Sequence, residues 1–220
     1  LRIGADTVPP GQLAHYYCEM GEEARKKGDW KEAWRLLQQA EVVEPGKVRC
    51  TMLRGDLAAD QGQLVAAAAA YAEVARAAPA MLGDILPRLL RTVPQAGLEP
   101  LLQEVTVTPE GLRGIALAVV RDLQISHPAA IDCLGRFIEQ QPILRDLAGA
   151  GFPGAAAADS RRQAIERVRK ALHQLARVGT NYQCADCGYY SSVLQWQCPG
   201  CRAWDTVGAA DRLLFKGSPV

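Results

Sequence analysis

Six residues recur in this chain at a fixed offset of 34 positions. Gly21 returns as Gly55, Ala24 as Ala58, Gly28 as Gly62, Ala33 as Ala67, Leu37 as Tyr71 and Pro45 as Pro79. No other feature restricts the fold as much, because a unit of this length holds one helical hairpin and buries its apolar face only against a neighbour. The residue types suit such a hairpin. Gly21 and Gly55 let a facing helix approach, and Ala33 and Ala67 stand where the second helix meets the first. Leu37 and Tyr71 fill the space between neighbours. Gly28 and Gly62 lie at the turn, where positive φ costs glycine little. Pro45 and Pro79 stop the second helix, because proline lacks the amide donor and clashes with the preceding turn.

The period is that of the tetratricopeptide repeat. Leu13, Tyr17, Met20 and Ala24 follow at helical spacing, as do Trp30, Trp34, Leu37 and Ala40, and this marks them as expected core. The pattern then loosens. Residues 81–93 predict a helix through Ile85, Leu89 and Val93, and Leu98, Leu101, Leu102 and Val105 predict another. Thr108-Pro109 reads as a helix start, a capping threonine followed by proline at the first helical position. Residues 110–123 and 128–141 recover the hairpin, with Ala130, Leu134, Phe137 and Pro142 at the spacing of Ala33, Leu37, Ala40 and Pro45. An array of three to four hairpins over residues 12–146 is expected, the middle ones irregular.

Gly149, Gly151 and Gly154 match the dinucleotide fingerprint on paper. No strand precedes them and Pro153 interrupts them, so residues 147–158 read as a flexible connection. A linking helix is expected over 159–178, capped by Asp159 or Ser160, with Ile165, Val168, Leu172 and Leu175 as its buried stripe. Six cations (Arg161, Arg162, Arg167, Arg169, Lys170 and Arg177) face two anions between 159 and 181. Such a run reads as a solvated face before it reads as a binding patch.

The strongest chemical signal is the pair Cys184-x-x-Cys187 and Cys198-x-x-Cys201. Two such pairs let four thiolates converge tetrahedrally on one ion, at about 2.3 Å for zinc. Gly188 frees the first turn and Pro199 stiffens the second. Four protein ligands leave the ion no open position, so the site reads as structural. Zinc is the expected metal, and four thiolates also hold iron. A module of this size needs such a staple. Tyr182, Tyr190, Trp196 and Trp204 are the expected small core of residues 181–207. The other cysteines, Cys18, Cys50 and Cys133, stand singly in helical patterns and read as small buried apolar residues.

The fold class expected is therefore an all-α tetratricopeptide-type helical repeat array plus a small C-terminal rubredoxin-like metal knuckle domain. A net charge of +1 gives the whole chain no general attraction for nucleic acid or membrane. No apolar run approaches the ~20 residues that span a bilayer. No phosphate-binding loop, serine elbow or His-Glu-x-x-His pair is present, and no nucleophile and base stand out. The reading is of a protein that holds other proteins and is not an enzyme. Two alternatives remain: a nucleic-acid-binding zinc ribbon aided by the basic helix, and rubredoxin-type electron transfer if iron is bound. Against the first, Arg202 is the only cation between Cys184 and Val207.

Repeats, linking helix and terminal knuckles in this order resemble the lipopolysaccharide assembly protein B family. The resemblance is most specific at Ala14-His-Tyr-Tyr-Cys-Glu19, at Tyr182-Gln-Cys-Ala-Asp-Cys-Gly188, and from Trp196 to Trp204. It is weak over 80–158 and nearly absent after Val207. It implies Cys184, Cys187, Cys198 and Cys201 as metal ligands. It also implies a membrane anchor and further repeats upstream. A chain that starts Leu1-Arg2-Ile3, without methionine and close to a first hairpin, is expected to be part of a longer protein. The family implies a regulator at the cytoplasmic face of the inner membrane. It presents the lipid A deacetylase to a membrane-bound AAA+ metalloprotease, is restrained by an inner-membrane regulator protein, and works among lipopolysaccharide-assembly proteins. The knuckle domain is expected to dock on the helices through its aromatics, Trp204 among them.

Overall fold

The computed structural model describes residues 9–93, 95–149, 158–178 and 182–210. Ten α-helices and a three-stranded sheet occupy the described residues. The contacts divide them into two compact units, Leu1–Ala78 with Arg88–Leu101, and Pro79–Pro87 with Leu102–Val220.

The first unit holds two hairpins, α1 (Pro10–Lys26) with α2 (Trp30–Val43), and α3 (Val48–Asp60) with α4 (Leu64–Ala77). The repeat is borne out. Gly28 and Gly62 both turn at positive φ, +77° and +73°. Asp29 caps α2 by accepting from the Glu32 amide at 3.1 Å. Ala14, Cys18, Ala33, Leu37, Ala40, Cys50 and Leu57 form a buried core, with Tyr17 and Trp34 packed against it. Two expected core residues are corrected. Met20 is 51% exposed and Trp30 is 37% exposed. Met20 lies beside, not on, the Ala14–Cys18–Gly21 face of α1, and Trp30 is the first residue of α2, next to the turn of the hairpin.

α5 (Leu82–Thr92) and α6 (Gln95–Val105) follow a 3-10 turn at Pro79–Met81. Each keeps a proline inside, Pro87 and Pro100, and the boundary between the units runs through both helices beside those prolines. Ile85, Leu89, Leu98 and Leu102 are buried as the periodicity predicts.

In the second unit, α7 (Pro109–Arg121) and α8 (Pro128–Gln140) form a hairpin, followed by α9 (Pro142–Ala148) and α10 (Ala158–Val178). Thr108 accepts from the Gly111 amide at 3.1 Å, the cap the sequence predicts. Ala130, Leu134 and Phe137 are buried. Most of the expected connection over 147–158, and with it the rejected fingerprint at Gly151 and Gly154, lies outside the described residues. α10 already starts at Ala158, so Asp159 and Ser160 sit in its first turn and do not cap it. Ile165, Val168 and Leu172 are its buried stripe. The side chain of Leu175 lies outside the described residues.

The basic helix is not a solvated face throughout. Arg169 is 3% exposed. Its guanidinium donates to the carbonyls of Val119 (2.9 Å), Asp122 (2.9 Å) and Ile125 (2.7 Å) and pairs with Glu166 at 3.0 Å. It satisfies carbonyls at the C-terminal end of α7 and in the turn beyond, which helical hydrogen bonding leaves open. Arg161 pairs with Asp132 (3.2 Å) and Glu139 (2.9 Å) of α8, and Arg167 donates to the Ala148 carbonyl at 3.0 Å.

Candidate metal centre

Three short strands frame the site: β1 (Tyr182–Cys184), β2 (Tyr190–Ser191) and β3 (Val207–Ala209). Their order is β2-β1-β3 and both pairings are antiparallel. Cys184 stands opposite Val207, which places the first cysteine at the end of the central strand.

The two Cys-x-x-Cys segments fold alike. The Gly188 amide donates to the Cys184 carbonyl at 3.0 Å, and the Arg202 amide to the Cys198 carbonyl at 2.8 Å. The Cys184 amide donates to the Tyr189 carbonyl and the Cys198 amide to the Ala203 carbonyl, both at 2.8 Å. The residue after each second cysteine has positive φ, +73° at Gly188 and +61° at Arg202. Glycine takes this conformation freely, whereas Arg202 is held in it at a cost that the surrounding hydrogen bonds offset.

The four sulfurs lie within 4.8 Å of one another, so Cys184, Cys187, Cys198 and Cys201 could hold a metal ion. Cys184 and Cys201 are 3.7 Å apart, and Cys187 and Cys198 are 3.5 Å apart. A tetrahedral site with metal–sulfur bonds of about 2.3 Å has sulfur–sulfur edges of about 3.8 Å, so the donors fit a tetrahedral thiolate site. Cys184 and Cys198 are buried while Cys187 and Cys201 reach the surface. The Thr206 hydroxyl, 3.2 Å from Cys184 Sγ, and the Cys187 amide hold the Cys184 thiol down to about 6. The Ala203 amide favours the Cys201 thiolate, but desolvation and the neighbouring thiols outweigh it and push that group up to about 12. The Cys184 thiolate thus forms readily while that of Cys201 is resisted by its neighbours, an opposition that a divalent cation relieves.

The sulfurs are also part of the module's core, which consists of Tyr182, Cys184, Cys198 and Val207 with Leu194 against them. Of the four aromatics expected there, Tyr182 is buried and Tyr190, Trp196 and Trp204 are half-buried. Tyr182 is also the aromatic that ties the sheet to the helices of its own unit. Its hydroxyl donates to Asp84 at the start of α5 and accepts from Arg121 Nη1 of α7 at 3.1 Å. The Arg121 guanidinium also lies over the Tyr182 ring, 4.9 Å from its centre. Sequence reasoning missed this contact, because Asp84 and Tyr182 are 98 residues apart and carry no shared motif.

A family model described as a rubredoxin metal binding domain matches residues 182–209. Lipopolysaccharide assembly protein B of Escherichia coli strain K12 is 22% identical over 203 residues, 89% of this chain and 52% of that protein. The chain is similar to lipopolysaccharide assembly protein B. The protein of that name from Haemophilus influenzae strain Rd is 25% identical, over 89% of this chain and 51% of its own length. The resemblance read from the motifs is therefore borne out, and over nearly the whole chain. The chain spans about half the length of these curated relatives. Among the described residues, no helix is long and apolar enough to cross a membrane.

Proposed function

We propose that this chain is part of a non-catalytic adaptor in the regulation of lipopolysaccharide synthesis. In this reading it presents the lipid A deacetylase to a membrane-bound AAA+ metalloprotease at the cytoplasmic face of the inner membrane, and a second inner-membrane protein restrains it. Residues 12–146 serve as the repeat array, 147–158 as the connection, 159–178 as the linking helix and 181–207 as the metal module. The observation that carries the reading is the similarity to lipopolysaccharide assembly protein B over 203 residues, which takes in the helical hairpins and the knuckles in one alignment.

Cys184, Cys187, Cys198 and Cys201 are proposed as the ligands of one zinc ion. A bound ion supplies folding free energy and not chemistry, because four thiolates leave it no position for substrate. The nucleic-acid alternative is disfavoured by the basic helix itself, since Arg161, Arg167 and Arg169 are engaged with carboxylates and carbonyls of the same unit.

The test is a reconstituted degradation assay with the protease in vesicles and the deacetylase as substrate. Adding the zinc-loaded chain accelerates loss of the deacetylase. An unchanged rate, in an assay where a positive-control substrate is degraded, would overturn the reading.

A further inference from the structure

Between α8 and α10 lies a groove of about 430 Å³ that the metal centre does not use. Its floor is apolar, made of Ile131 and Ile165. Its walls are fixed. Arg161 bridges Asp132 and Glu139 of α8, Arg169 anchors α10 to three carbonyls, and the missing side chain at Gly135 leaves room for Ile165. A groove held in this way needs little reorganisation to receive a ligand.

Three arginines and two carboxylates line it, and most of that charge is already matched. Asp132 is taken by Arg161, and Glu166 by Arg169. Arg162 is exposed on the rim and has no carboxylate partner among the described residues. The groove therefore offers a hydrophobic floor beside one unmatched guanidinium, which favours a carboxylate in fork geometry. Ser126, Pro128, Asp132 and Arg162 are all exposed, so the rim is open. An open rim suits a polypeptide passing across it better than a small molecule, which a pocket encloses on most sides.

We propose that the α8–α10 groove docks a segment of a partner protein that inserts an apolar side chain and sets an adjacent carboxylate on Arg162. As the seat of the client this rests on the adaptor reading. The test separates the two by calorimetry of the full chain against the lipid A deacetylase, with Arg162→Glu, Arg162→Lys and Ile131→Ser variants whose melting temperatures match the parent. The expected result is binding by the parent, a loss of about tenfold for Arg162→Glu and Ile131→Ser, and partial retention by Arg162→Lys. Binding by the parent with both variants within twofold of it would overturn the groove and leave the adaptor reading standing. If the parent itself does not bind, the adaptor reading fails. A blocked hexapeptide with a central Leu-Asp pair, titrated against the nitrogen-15-labelled chain, then decides the groove. Amide shifts confined to α8 and α10, absent with a Leu-Lys peptide, support the groove, and no such shifts overturn it.

Discussion

Gly55 stands against the ring of Tyr71 so closely that a methyl group added at Gly55 would lie 2.6 Å from Tyr71 Cε1. The same pairing recurs one repeat earlier, where a methyl on Gly21 would lie 3.1 Å from Leu37 Cδ2. The glycine of the first helix and the large residue of the second are thus complementary halves of one contact. Tyr71 is 2% exposed and cannot swing into solvent. Gly55→Ala is expected to destabilise the first unit by about 1–3 kcal/mol through overpacking, measured by urea denaturation. Gly21→Ala should cost less, because Leu37 has more freedom to shift.

The Tyr71 hydroxyl donates to Asp56 at 2.7 Å. Burial and that carboxylate raise the Tyr71 ionisation above its ordinary value of about 10. Between the ordinary and the raised value the native state keeps a proton that the unfolded chain has released. Stability therefore falls as pH rises through that window, by at most about 1.4 kcal/mol per pH unit from this group. Tyr71→Phe should flatten the alkaline arm of the stability curve relative to the parent, as read by denaturation between pH 9 and about 11.

Tyr182→Phe removes a donor from Asp84 and an acceptor from Arg121 while keeping the ring. The expected loss is about 1–3 kcal/mol, with faster proteolytic cleavage of the knuckle module. Trp204→Ala should have the smaller effect on cleavage, because Tyr182 is the buried aromatic of the module.

Arg169→Met should lower stability by about 3 kcal/mol or more, because it removes the guanidinium donors to the carbonyls of Val119 and Ile125 and leaves the Asp122 carbonyl with the Ile125 amide alone. Arg162→Met, on the exposed rim, is expected to leave the melting temperature unchanged. Thermal denaturation of the two variants side by side checks both statements.

Removal of metal by a chelator should unfold the knuckle module while the hairpins persist. Far-ultraviolet circular dichroism would keep most of its helical signal, and the amide resonances of residues 182–210 would lose their dispersion. Cys198→Ser, at a fully buried position among the four proposed ligands, should produce the same pattern without chelator.

What was legible in the sequence was periodic or closely spaced. The 34-residue offset announced four helices, and Cys-x-x-Cys twice announced four converging sulfurs, since both are written in local spacing. Thr108-Pro109 announced a helix start because a cap is local chemistry. Arg169 was misread because an arginine inside an apolar stripe looks solvated until its carbonyl partners, 44 to 50 residues away, are known. Its position four residues after Ile165 and three before Leu172 was the available hint. The Asp84–Tyr182 contact was illegible for the same reason. Met20 and Trp30 show the limit of periodicity, which marks a face but not whether another element covers it.

The central claim, that this chain works by holding a client protein, is tested most directly by calorimetric titration of the zinc-loaded chain with purified lipid A deacetylase. Saturable binding near one to one, weakened when chelation removes the metal, is the predicted result. No heat of binding by the folded, zinc-loaded chain at any temperature tried would contradict the claim.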